Sequence, residues 1–201
     1  MKMYYSPTSP FVRKCMVIAH HLGLADRIEK LPSAANPVNR DQTILPSNPL
    51  GQVPTLIADD GTVMFDSRVV CEYFNALGKG DFFPAAGAAR WRVLTEQSLA
   101  DGILDAALLT RYEGAARPEN LRWKDWTAGQ MDKIVVGLAH FDKTVDAKAK
   151  RVDIGTITLG CALGYLDFRF ADFGWRTRYP NLAAWYEIFS ASPAMQATMP
   201  H

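Results

Sequence analysis

Cysteine is scarce in this sequence: there are 3, and no two form a C-x-x-C pair. That excludes a small scaffold stapled by disulfides and points to free thiols in a reducing cytoplasm. An excess of either charge is also missing. The 22 basic and 21 acidic side chains leave a net charge of +1, so no electrostatic footprint for nucleic acid is expected. The run Lys148-Ala149-Lys150-Arg151 reads as a solvated helix end. The longest uncharged stretch, Ile154 to Leu166, is too short for a bilayer and carries glycines and threonines. It reads as a buried helix. No apolar leader follows Met1-Lys2-Met3-Tyr4-Tyr5, so neither secretion nor a membrane is expected. His20, His21, His140 and His201 lack metal-ligand spacing. Adjacent histidines on a helix point about 100° apart, and no metal is expected.

What is present suits a globular chain. The 201 residues, 48% hydrophobic, suffice for one large core or two small ones. Alternation over Met1–Tyr5 predicts a strand. A helix is predicted from Pro10 to Leu22, stopped by Gly23. Ile28–Leu31 reads as a second strand. A loop rich in proline follows, then two apolar runs separated by Asp60-Gly61, a hairpin signal. Ser67–Leu77 reads as a helix. After the Gly- and Pro-rich stretch 78–87, strand signals stop. Helices are predicted over Ala89–Tyr112, Asn120–Ala147, Ile154–Phe170 and Leu182–Ser190, with a last short one from Pro193. The expected architecture is α/β plus all-α: a β-α-β, β-β-α domain over 1–77, a linker over 78–87, and a helical domain over 88–201.

Three segments carry chemistry. In Ser9-Pro10-Phe11, Ser9 reads as an N-cap, with Pro10 at the first helical position, where its missing N–H costs nothing. The same helix end favours an anion, and the hydroxyl can donate to a thiolate. In Asn48-Pro49-Leu50-Gly51-Gln52-Val53-Pro54, the Val53–Pro54 bond is open to either isomer. A cis bond turns the Val53 backbone outward, where it can pair with an extended peptide. In Phe65-Asp66-Ser67, Asp66 or Ser67 caps the next helix. A carboxylate suits the Ser67 end of it and an ammonium suits Asp66, which together describe an amino acid.

In this order and spacing the three segments resemble the soluble glutathione transferases, small bacterial members above all, and the resemblance covers nearly the whole chain. It implies a thioredoxin-like first domain that binds glutathione and a helical second domain that supplies most of a hydrophobic substrate pocket. Ser9 is similar to the family's catalytic serine or cysteine, with Thr8, Ser6 and Tyr5 as local competitors for the sulfur. Val53-Pro54 is similar to the cis-proline segment that holds the cysteinyl backbone. Asp66-Ser67 looks like the pair that grips the γ-glutamyl end, and Gln52 stands where a residue for the glycine carboxylate is found. Val152-Asp153-Ile154-Gly155-Thr156 resembles the family's buried helix start, with Thr156 in place of the usual acid, so only half of a capping box is expected.

The implied activity is conjugation of glutathione, as co-substrate, to a small hydrophobic electrophile, or reduction of a hydroperoxide by the same thiolate. The implied assembly is a homodimer. A non-catalytic binding or regulatory protein on the same fold, or a glutathione-dependent isomerase, stands as the alternative; the isomerase type carries a Ser-Ser-Cys start where this chain has Thr8-Ser9-Pro10. A thiol-disulfide oxidoreductase needs a cysteine where Ser9 stands. Arg111, Tyr112, Tyr165 and Trp175 are candidate pocket residues, with core packing as the competing reading. Asp101 and Asp105 share a helix face at i, i+4, open to the cleft between domains, to the dimer partner, or to a cap or arginine pairing.

Overall fold

The computed structural model describes residues 1–33, 35–146 and 151–200. Lys148, Ala149 and Lys150 of the expected helix end lie outside the described residues, as do Ala147 and His201. The chain forms two compact units, one of Met1–Ala85 with the segment from Pro193, the other of Ala86–Ser192.

The first unit runs β1 (Lys2–Tyr5), α1 (Pro10–His21), β2 (Glu29–Pro32), β3 (Thr55–Ile57), β4 (Val63–Met64) and α2 (Ser67–Leu77). The sheet order is β2-β1-β3-β4. β1 and β2 are parallel, which requires the crossover that α1 supplies. The other two pairings are antiparallel. Between β3 and β4 the Ala58 N–H bonds the Thr62 carbonyl at 2.9 Å. The loop is therefore longer than a two-residue turn, and only Gly61 takes a positive φ, of 87°. The Asp60 carboxylate accepts the Thr62 N–H instead.

α1 buries Val12, Cys15, Met16, Val17, Ile18 and Ala19 and packs against α2. It also packs against α8 (Pro193–Gln196). The sequence grouped residues 88–201 as one helical domain, but the segment from Pro193 folds with the first unit. The cause is Arg13, a buried guanidinium whose Nη2 donates to the Met195 carbonyl at 3.1 Å. Nothing local in the sequence announces that contact.

The second unit is helical: α3 (Gly87–Ala115), α4 (Lys124–Thr144), α5 (Ile154–Arg169), α6 (Trp175–Arg178) and α7 (Pro180–Ser190). α3 packs along α5 and α4. The predicted helix from Asn120 starts later. Glu119–Leu121 form a 3₁₀ turn, and Trp123 is extended with its N–H given to Glu113 Oε1 at 2.8 Å. α5 is buried on every side from Ile154 to Leu166, as its uncharged sequence requires. Its capping box is complete. Asp153 Oδ1 accepts the Thr156 N–H at 3.0 Å, and the Asp153 N–H is returned to Thr156 Oγ1 at 2.9 Å. A threonine hydroxyl reaches as well as the acid it replaces. Arg151 is not a solvated end: it pairs with Glu96 and, at 2.7 Å, with Asp153.

Candidate functional site

Ser9 caps α1. Its Oγ accepts the Val12 N–H at 3.3 Å, and Pro10 follows. The Ser9 O–H donates to nothing among the described residues. Capping uses a lone pair and leaves the proton, so one atom can cap the helix and donate to an anion. The Ser6 and Thr8 hydroxyls, by contrast, face each other at 3.3 Å. Tyr5 ends β1; burial pushes its phenol up from the ordinary value, so it stays protonated.

The Val53–Pro54 bond is cis. The registered pairing of β3 with β1 begins at Thr55, and the Val53 N–H and C=O have no hydrogen bond among the described residues. Backbone groups left open in this way can pair with an extended peptide. Asn48, 1% exposed, holds this loop: Nδ2 donates to Thr55 Oγ1 at 2.9 Å, and Oδ1 accepts the Leu50 N–H at 3.0 Å. Gly51 then turns the chain at a φ of 63°. The Gln52 carbonyl accepts the Thr55 hydroxyl at 2.8 Å, and its side chain is exposed. Asn48 was legible as part of a motif, but its bonds were not.

Asp66 is the N-cap of α2, with Oδ1 accepting the Arg68 N–H at 2.9 Å. Ser67 is the first helical residue, and its hydroxyl makes no hydrogen bond among the described residues. α1 and α2 are joined at this level. Cys15 Sγ lies 3.7 Å from the Ser67 carbonyl oxygen and 3.7 Å from Cys71 Sγ. β1 leads into α1 and pairs with β3, so all three segments sit on one sheet-and-helix unit.

In the helical unit Trp175 is core, with its indole N–H on Asp167 at 2.8 Å. Asp101 is buried and Asp105 exposed. Among the described residues no group of His, Cys, Asp and Glu is placed to hold a metal ion, and no helix is long and apolar enough to cross a membrane.

Residues 8–77 match the family model of the glutathione S-transferase N-terminal domain, and 124–187 that of the C-terminal domain. The chain belongs to the glutathione S-transferase family. It is 34% identical to the uncharacterized GST-like protein YibF of Escherichia coli (strain K12), over 100% of this chain and 98% of that protein. A glutathione transferase family member from Pseudomonas fluorescens Pf-5, solved with bound glutathione, superposes with a TM-score of 0.96 at 44% identity, over 100% of this chain and 98% of the other. A second structure from that organism holds S-(propanoic acid)-glutathione, with a TM-score of 0.92, 43% identity and full coverage of both chains.

Proposed function

We propose that this protein binds glutathione and transfers its thiolate to a small hydrophobic electrophile. The observation that carries this reading is the Ser9 hydroxyl, which caps α1 through oxygen and keeps its proton for a donor bond. A free thiol ionises near about 8.5, so little thiolate exists at neutral pH. Lowering that value by about two units takes roughly 2.7 kcal/mol. A charge-assisted hydrogen bond and the positive end of a helix are of that size together. The thiol proton leaves to solvent. The sulfur then forms a bond to the electrophilic carbon, and the leaving group departs with its electron pair.

In this reading the unpaired Val53 backbone binds the cysteinyl unit, Asp66 and Ser67 bind the γ-glutamyl end, and exposed Gln52 reaches the glycine carboxylate. The relative that holds glutathione with a propanoic acid on its sulfur supports conjugation, since a thioether is what such a reaction leaves. The protein acts as a homodimer in the cytoplasm, as its family resemblance implies.

The test is a pH titration of bound glutathione, followed by thiolate absorbance, with Ser9→Ala alongside. A thiol well below its free value, restored upward in Ser9→Ala, is expected. Binding with an unshifted thiol makes the protein a carrier or regulator of glutathione, and no binding ends the reading.

A further inference from the structure

The last turns of α3 and α5 bring together two cations that lack an anion among the described residues. The two helices run side by side, and their register is fixed where α5 begins: a Cβ built on Gly155 would lie 2.9 Å from Glu96 Cβ. Both helices advance about 1.5 Å per residue. Running in the same direction from that contact, Arg169 comes level with Thr110 and Arg111. Tyr165 lies one turn below Arg169 on α5.

The ordinary partners of arginine are taken elsewhere. Glu113 is held by Arg117 and the Trp123 N–H. Asp167 is held by Arg176 and Trp175. Among the described residues neither Arg111 nor Arg169 has a carboxylate within 4.0 Å. Arg169 Nε is buried with no hydrogen-bond partner among the described residues. Tyr165 is 3% exposed, and its hydroxyl makes no hydrogen bond among the described residues. Burial, and after it the charge of Arg111, lower the Arg169 guanidinium from its ordinary value. The end of α5 offsets part of the Arg169 charge. It does not supply an acceptor for the buried Nε or for the phenol.

The surroundings are aromatic. The Arg169 guanidinium carbon lies 3.9 Å from the Phe168 ring centroid, and that of Arg111 lies 5.8 Å from the Tyr112 centroid. Tyr165 and Phe170 meet edge to face at 6.4 Å. Two planar forks and a phenol O–H are the donors that a carboxylate takes, and rings suit an apolar body behind it.

We propose that Arg111, Arg169 and Tyr165 form a binding site for a small aromatic carboxylate on the helical unit. The inference rests on the transferase reading and deepens it: Arg111 and Tyr165 are candidates for its hydrophobic pocket, and the two guanidiniums name an acidic class of co-substrate.

The experiment is calorimetric titration of the full chain, without glutathione, using 3-phenylpropanoate and its neutral analogue 3-phenyl-1-propanol. The acid binds saturably and at least about tenfold more tightly than the alcohol, roughly 1.4 kcal/mol. Arg111→Gln and Arg169→Gln each weaken the acid by about tenfold or more and leave the alcohol unchanged. Arg178→Gln, an exposed cation on α6, changes neither. The comparison of acid with alcohol on the unsubstituted protein holds even where a variant fails to fold. No saturable binding of the acid, equal affinity for the alcohol, or an acid affinity untouched in folded Arg111→Gln overturns the proposal. Any of these results leaves the glutathione titration to stand or fall by itself.

Discussion

The thiol of Cys15 lies 3.7 Å from the main-chain oxygen of Ser67. One residue is in the middle of α1 and the other is the first residue of α2. Cys15 is fully buried and also touches Cys71, so this contact locks the helix capped by Ser9 to the helix capped by Asp66.

Cys15→Ala therefore acts at both helices. Removing the buried sulfur leaves a small cavity and costs about 1–2 kcal/mol. For a chain of this size each kcal/mol lowers Tm by about 2–4 °C. Thermal denaturation measures that loss. Glutathione affinity, read by calorimetry, falls with it, because the Ser67 carbonyl loses its brace.

Two substitutions at Ser9 separate its roles. Alanine lacks the cap and costs about 1 kcal/mol of stability, whereas glycine at an N-cap costs only a few tenths. Both lose the hydroxyl proton. Both therefore lower kcat/KM for conjugation of a model electrophile by about ten- to hundredfold, the worth of one hydrogen bond to a charged group. Equal loss of activity with unequal loss of Tm is the expected pattern. Full activity in Ser9→Gly assigns Ser9 to the cap alone.

Glu113 gives the helical unit an acid limb. The Trp123 N–H, and then Arg117, hold its carboxyl below the ordinary glutamate value of about 4.3. The folded state thus favours the carboxylate. The stability it contributes is present above about pH 4.3 and is lost as pH falls through the lower folded value. In Glu113→Gln, urea midpoints measured from pH 6 downward start lower and fall less steeply.

The box at the start of α5 is reciprocal, so its two halves are separable. Thr156→Val removes the acceptor of the buried Asp153 N–H and costs about 1–2 kcal/mol. Asp153→Ala removes the cap and the 2.7 Å partner of Arg151, and costs about 2–3 kcal/mol. Chemical denaturation of each variant checks the order.

Much of this was written locally in the sequence. Ser9-Pro10 starts α1, and Ser67–Leu77 is found with the predicted bounds. Both are legible because a cap and an apolar stripe act within a turn or two of themselves. Asp60-Gly61 marks a hairpin for the same reason, and the uncharged run after Asp153 marks a buried helix. Where a distant partner intervenes, the local signal fails. Helical periodicity runs through Leu121 and Arg122, but Glu113 takes the Trp123 N–H and delays α4 to Lys124. Pro193–Gln196 reads as the end of a helical domain, but Arg13 draws it to the first unit.

The candidate sites divide in the same way. Ser9, Val53, Asp66 and Ser67 stand out because turns, caps and proline are properties of short segments. Arg111, Tyr112 and Tyr165 stood out only as aromatic and basic side chains, and Arg169 had no sign of its own. Sequence alone determined most of the elements, the Ser9 and Asp66 caps and the family the chain belongs to. Only tertiary structure decided that Cys15 braces Ser67, that Asn48 holds the Val53 loop and that, among the described residues, Arg169 has Arg111 rather than a carboxylate beside it. Backbone preference acts over a few residues, while the environment of a charge is set by whichever helix packs against it.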